Sequence, residues 1–238
     1  MGSIYCVIQA RTGSTRLPGK VLKSVGGKLL IEHVVNRCLK AFPADQIILA
    51  TTNLKEDDVL VKIIRERYEI GIFRGDSLDV RSRFTHIAKD YNAFGLVRVT
   101  ADDPFKDPRH LLKSVRYIEK GTYDYYNNFE YESYPTGLDV ESVVSEVLFE
   151  NELNDFSQLS REHVTWGIRK DPRIKKFLEK TTPSSNDLRL TIDTQDDLVF
   201  CSSVALMLER DNPDNFDYEV TINTANQVKL QKGNSKWI

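Results

Sequence analysis

Residues 10–20 read ARTGSTRLPGK and gather three cations, two glycines and three hydroxyls into one turn after Ala10. Arg11 and Arg16 are forks for phosphate oxygens, Lys20 is a point charge, Gly13 and Gly19 let the backbone approach a ligand, and Ser14 and Thr15 add hydroxyls. A triphosphate needs that set, because it takes backbone N–H donors together with charge-assisted side-chain donors. Acids are absent nearby. Glu32 is the first acidic residue, and Arg11, Arg16, Lys20, Lys23 and Lys28 give the first 31 residues a charge of +5. The loop is not a Walker A motif: five residues separate Gly13 from Gly19 and Val21 follows the lysine, where that motif has four residues and then Ser or Thr. It is not a dinucleotide loop either, since three cations are superfluous there. Two aspartates follow strand-like runs, Asp102 after 95–100 (GLVRVT) and Asp193 after 188–192 (LRLTI). Their hard oxygens suit Mg²⁺. The plainer alternatives are a turn aspartate ahead of Pro104 and a helix N-cap before 194–209.

These residues need a frame, and the N-terminal half supplies one. Apolar runs at 4–9, 46–51, 71–73 and 95–100 alternate with helical patterns at 29–42, 57–67, 78–91 and 108–120. Strand and helix alternating four times is the signature of βαβ units on a parallel sheet. Right-handed crossovers place every strand-to-helix loop at one edge, where ligands bind. The suspect loops are 10–20, 51–57 and 101–104. Beyond residue 121 the pattern changes. The run 123–134 (YDYYNNFEYESY) is aromatic and polar, 138–141 is extended, 142–152 and 161–168 are helical, 188–192 returns to the main sheet, and a polar tail follows residue 211. The expected fold is a single α/β domain over 1–238, a Rossmann-like, mostly parallel sheet flanked by helices, with an inserted acceptor or dimerisation lobe at 121–187.

Composition narrows the partners. The 238 residues are 40% hydrophobic and carry a net charge of −2, enough for one sizeable core and too balanced for a general nucleic-acid or membrane-surface binder. Cys6, Cys38 and Cys201 are widely spaced and read as reduced thiols; with no signal pattern or long apolar run, the expected location is cytoplasmic.

The string ARTGSTRLPGKVL closely resembles the opening of cytidylyltransferases that activate sugar acids, Ala-Arg-x-x-Ser-x-Arg-Leu-Pro-Gly-Lys-x-Leu, and is most similar to the spore coat polysaccharide branch. The resemblance continues through ATTN (50–53), FRGDSLDVRSRF (73–84), RVTADDPFKDP (98–108), YPTGLDVE (134–141), REHVT (161–165) and LRLTIDTQDDL (188–198). The segment 98–108 resembles Arg-Ile-Thr-Gly-Asp-Cys-Pro-Leu-Ile-Asp-Pro; Ala101 stands for its Gly and Asp103 for its Cys. At the late motif the acylneuraminate relatives have Asp-x-Asp, whereas Thr191-Ile192-Asp193 keeps one carboxylate. The implied activity is transfer of CMP from CTP to a small anionic acceptor, in a homodimer paired through 123–134. Lys20 and Arg11 would hold the β and γ phosphates with Arg16 nearby, and Asp102 and Asp193 would hold Mg²⁺ or Mn²⁺. Thr51, Thr52 and the segment 73–83 would line the ribose and base, with backbone groups near Arg74, Gly75, Asp76 and Ser77 meeting the cytosine. Asp139, Glu141, Arg161, Glu162 and His163 fall on the acceptor side, with Arg161 expected to open a helix facing an anion.

Two other functions fit parts of this pattern. A GT-A glycosyltransferase shares strand order and a metal aspartate but uses a nucleotide-sugar diphosphate. A catalytically inert module would bind nucleotide without turnover. No Ser-His-Asp or Cys-His arrangement is present in the sequence, so the chemistry expected is direct in-line displacement.

Overall fold

The structure is a computed structural model that describes residues 2–131, 134–180, 188–211 and 217–234. β1 (Ile4–Gln9) leads through the basic loop to a small hairpin, β2 (Ser24–Val25) with β3 (Lys28–Leu29), and then to α1 (Leu30–Leu39). β4 (Ile47–Thr52), α2 (Asp58–Arg67), β5 (Gly71–Gly75), α3 (Val80–Asp90), β6 (Gly95–Thr100) and α4 (Pro108–Glu119) complete the alternating half. β7 (Tyr125–Asn127), β8 (Glu141–Val144), α5 (Ser145–Asn154), α6 (Gln158–His163), α7 (Trp166–Lys170) and β9 (Lys176–Leu178) follow. α8 (Gln195–Asp211) and α9 (Tyr218–Asn234) close the chain.

One seven-stranded sheet runs β5-β4-β1-β6-β8-β7-β9. Its first four strands are parallel, and β8 runs antiparallel to both neighbours. Gln9 pairs with Ala50 on one side and Thr100 on the other, so the carboxyl ends of β1, β4 and β6 are level and their loops share one edge. Alternation along β1 explains its unbroken apolar run. Cys6 and Ile8 pack under α1, α2 and α4, while Val7 packs with α3, α5 and α7. A strand covered on both faces has no polar side to show. Helix starts are set locally: Asp79 Oδ1 accepts from Ser82 N at 2.9 Å ahead of α3, and Asp107 Oδ1 accepts from Arg109 N at 2.8 Å ahead of α4.

The second half departs from the sequence reading. The segment 142–152 begins as strand β8, because Glu141 to Val144 pair with Arg98 to Gly95 before the helix starts at Ser145. β7, β8 and β9 extend the main sheet, so the described part of 121–187 contributes three strands to it. Residues 132–133 and 181–187 lie outside the described residues. The run 161–168 is two helices broken at Val164, whose φ of 50° is unfavourable for a β-branched side chain. The segment 188–192 does not rejoin the main sheet: its only strand contact among the described residues is a bridge from Arg189 to Thr136. Gly137, with φ 100°, lets the two segments approach, since a Cβ there would lie 2.4 Å from the Leu190 carbonyl carbon. The tail is not merely a polar surface helix: α9 buries Ile222, Ala225 and Val228 in a second core with α8, Val25 and Leu190. No helix among the described residues is long and apolar enough to cross a membrane.

Candidate active site

The basic loop is shaped by one buried carboxylate. Asp57 Oδ1 accepts from Thr12 N at 2.6 Å and from Thr12 Oγ1 at 2.7 Å, and Oδ2 accepts from Thr52 Oγ1. Thr12 O then accepts from Ser14 N at 2.8 Å and Gly19 N at 3.0 Å, which folds the loop back on itself. Burial works to raise the Asp57 pKa, but the Thr52 and Thr12 hydrogen bonds together outweigh it and hold the carboxyl below its usual value. The stabilisation is therefore present at neutral pH and is lost as pH falls through the depressed folded pKa. Sequence reading passed over Asp57, although it ends a suspect loop. Asp57→Ala removes the anchor, and we expect the KM for the triphosphate that the loop is expected to hold to rise by about tenfold or more with a smaller change in kcat. An unchanged KM in a folded variant would mean the loop orders itself without this carboxylate.

The loop ends on Lys20, which the tertiary structure carries to both metal-type aspartates. Lys20 Nζ lies 2.8 Å from Asp102 Oδ2, 2.9 Å from Asp193 Oδ1 and 3.0 Å from the Ile192 carbonyl. Burial works against the ammonium, yet Asp102 and Asp193 together hold its pKa above the usual lysine value. Asp193 is lowered: burial opposes the charge, and Lys20, Arg16 and Arg189 outweigh it. Arg16 reaches Asp193 at 2.9 Å, and Arg189 pairs with the other Asp193 oxygen. Asp102 follows β6 as expected, but Asp193 does not follow a sheet strand. Its segment is held to the Asp102 turn by Ile192 N donating to Asp102 O at 2.9 Å.

Asp193 is not the helix cap. Thr194 Oγ1 accepts from Asp197 N at 3.2 Å while Asp197 Oδ2 accepts from Thr194 N at 2.9 Å, a reciprocal capping box at the start of α8. Asp197 also takes Asp193 N at 3.0 Å, which fixes the backbone and leaves the Asp193 carboxylate for other partners. Two carboxylates converging on one cation form a donor set that fits a divalent ion sharing phosphate oxygens and water. Among the described residues no cluster of three or more His, Cys, Asp or Glu adds to it.

Other expected residues divide sharply. Arg11 is exposed at the rim, while Thr51 and Thr52 are buried behind the loop. Arg74 is turned back to the Thr52 and Leu54 carbonyls and to Asp58. Gly75 ends β5, and Asp76 Oδ1 accepts from Leu78 N and Asp79 N, which turns the chain at Ser77 toward α3. Ser14 Oγ sits 3.4 Å from Leu17 N. Asp139 accepts from Gly137 N at 2.8 Å and remains partly exposed. Glu141 is no free acceptor ligand: it is buried and bound by Arg98, Tyr125 and Thr165. Arg161 does not open a helix. It lies in the last turn of α6, 3.8 Å from Asp79, and His163 is exposed beside Trp166. Tyr125 and Tyr126 are fully buried in an interior strand, so that part of 123–134 offers no pairing surface. Sequence reading also passed over Lys106, and it placed Arg83 only at the end of the base-side segment 73–83; both are buried charges at this edge.

A cytidylyltransferase family model matches residues 5–230. The chain belongs to the cytidylyltransferase family. This cytidylyltransferase is 34% identical over 194 residues to an uncharacterized protein of Methanocaldococcus jannaschii, covering 80% of this chain and 78% of the relative. It is 33% identical over 213 residues to the spore coat polysaccharide biosynthesis protein SpsF of Bacillus subtilis, covering 83% and 84%. In structure it is similar to a cytidylyltransferase from Leptospira borgpetersenii serovar Hardjo-bovis, with a TM-score of 0.89, 24% identity and all of both chains covered. It is thus a CTP-dependent nucleotidyltransferase on a mostly parallel α/β sheet.

Proposed function

We propose that this nucleotidyltransferase transfers CMP from CTP to an acidic sugar or small phosphorylated acceptor and releases pyrophosphate, in the assembly of a polysaccharide or glycoconjugate. The observation that carries this reading is Lys20 held between Asp102 and Asp193 at the end of a basic loop. The likeness to SpsF, named for spore coat polysaccharide biosynthesis, supports the pathway class.

The loop binds the triphosphate through its backbone N–H groups, Lys20 and Arg11, with Arg16 at the rim. Asp102 and Asp193 would hold a divalent ion, Mg²⁺ or Mn²⁺, which supplies charge neutralisation at the phosphates. Lys20 then exchanges carboxylate partners for phosphate oxygens. The acceptor oxygen attacks the α-phosphorus in line, the bond to the bridging oxygen breaks, pyrophosphate departs and the acceptor proton passes to solvent. Positioning and preorganised charge provide the acceleration, with no covalent enzyme intermediate. The exposed Arg11 and Arg16 give the opening a positive rim, which favours an anionic acceptor. The active form is a homodimer, and the site works in the cytoplasm, where CTP is made.

The test is pyrophosphate release with each of the four nucleoside triphosphates against a panel of sugar acids and phosphate esters. Release with CTP and an acidic acceptor, abolished by chelation and restored by Mg²⁺ or Mn²⁺, is the expected result. Formation of a nucleoside diphosphate from a nucleotide sugar would instead identify a glycosyltransferase. Nucleotide binding with no turnover on any acceptor would identify an inert module.

A further inference from the structure

Arg83 is buried at the carboxyl edge of the sheet with its charge scarcely partnered. It lies on the first turn of α3 and is 1% exposed. Its stem crosses the end of β5, where a Cβ on Gly75 would lie 2.7 Å from Arg83 Cγ, so only glycine leaves room for it. Nη1 donates to Ala50 O at 3.3 Å, the carbonyl that also accepts from Ala10 N at 3.2 Å. The guanidinium therefore stands where β1 and β4 end, behind the start of the basic loop. Its Nε is buried with no hydrogen-bond partner among the described residues. Burial and the neighbouring Arg11 push its pKa down to about 10, with Asp57, Asp76 and Asp79 offsetting this, so it is charged at neutral pH.

Arg81, two residues earlier and also buried, has a structural use. Its terminal nitrogens donate to the Asn151 carbonyl, Asn151 Oδ1 and the Asp155 carbonyl. Arg83 has one long bond in place of three. A buried, under-paired guanidinium is costly, and a ligand that supplies acceptors removes the cost.

Arg83 packs on Gly75 and donates to Ala50, the residue before Thr51 and Thr52 in β4, and these are residues expected beside the nucleoside. A guanidinium fork presents two parallel N–H donors. Cytosine presents two adjacent acceptors, O2 and N3. Uracil keeps O2 but carries a proton on N3, which meets the second donor head-on. We propose that Arg83 reads the pyrimidine, donating to O2 and N3 of cytosine, and that it sets the preference for CTP over UTP. This inference rests on the CTP reading above.

Calorimetric titration of the full chain with CTP and with UTP, in Mg²⁺, tests it in the parent, Arg83→Lys and Arg83→Met. Lysine keeps the charge but not the planar fork, and its compact ammonium serves O2 of either base equally. The parent is expected to prefer CTP by about a hundredfold or more, since a site built to donate rejects a ring that offers a donor in return. In Arg83→Lys, CTP affinity falls by about ten- to a hundredfold, UTP affinity changes by less than about threefold, and the ratio collapses. Arg83→Met loses both preference and affinity; if it does not melt cooperatively, the lysine variant alone carries the comparison. A folded Arg83→Lys that keeps the parental ratio overturns the inference and leaves the CTP reading standing. A parent that binds neither nucleotide overturns both.

Discussion

Lys20→Ala lowers turnover by about 10² to 10³-fold while the protein still melts cooperatively. That is the usual loss when one preorganised, charged contact to the transition state is removed. Lys20 Nζ is within 3 Å of both Asp102 and Asp193, so its removal also leaves two carboxylates facing one another without a counter-charge. Lys20→Arg does not rescue, because the position between the carboxylates fits a compact ammonium and a guanidinium is wider and planar. Asp102→Asn and Asp193→Asn are expected to lose most activity as well, since each removes one hard anionic oxygen from the proposed divalent-ion site. Steady-state kinetics with CTP and any competent acceptor, alongside thermal melts, decides the matter. Near-parental turnover in Lys20→Ala would end the assignment of the loop. Near-parental turnover in either asparagine variant at ordinary Mg²⁺ would make that carboxylate structural.

The second large effect is on stability. Asp103 and Lys106 form an ion pair at 2.9 Å, and their side chains are 4% and 2% exposed. Thr100 Oγ1 donates to Asp103 Oδ2 at 2.6 Å, and Lys106 Nζ also donates to the Asp139 carbonyl. Burial raises the Asp103 pKa to about 6, with Asp102 and Asp139 adding to the rise and Lys106 opposing it. Asp103→Ala strands a buried ammonium and is expected to cost ~3–5 kcal/mol. The pattern that this segment resembles has Cys and Ile at these two positions. Asp103→Cys combined with Lys106→Ile restores an apolar pair of similar bulk, which is expected to be neutral or stabilising. Denaturant unfolding of the parent, both single variants and the pair closes a double-mutant cycle. Additive losses, with the double variant worse than either single one, would show that the two side chains do not stabilise each other. The pair also joins the Asp102 turn to the 137–140 segment, so the single variants are expected to weaken turnover through position rather than chemistry.

The early half of the fold was legible for a simple reason. Strands buried on both faces read as unbroken apolar runs, and helices between them show a period that a local window detects. β1, β4 and β6 and the helices around them appear close to where the pattern puts them. The later half misled because its elements are short and its environment is not local. Glu141 begins strand β8 and looks like a free carboxylate in sequence, yet Arg98, Tyr125 and Thr165 converge on it from three other segments. The break at Val164 carries no Gly or Pro to announce it; it exists where tertiary packing over-determines a strained backbone. Arg161 keeps its place in an Arg-Glu-His run but sits in the last turn of α6 beside Asp79, because α6 begins three residues earlier at Gln158.

The active site divides along the same line. The sequence by itself determined the chemistry of the donors: a loop of three cations without acids, and two aspartates after extended segments, each a matter of residue type and short spacing. Only the tertiary structure decided which groups meet. Lys20 is separated from Asp102 by 82 residues and from Asp193 by 173, and Thr12 from Asp57 by 45. Such contacts depend on the register of parallel strands and on one hydrogen bond from Ile192 to Asp102, neither of which leaves a periodic trace in the chain. The structure also decided that Thr194 and Asp197 cap α8, which frees Asp193, and that Arg83 and Lys106 are buried charges rather than surface ones. A charged residue in sequence is most often solvated, and burial is a property of everything packed around it.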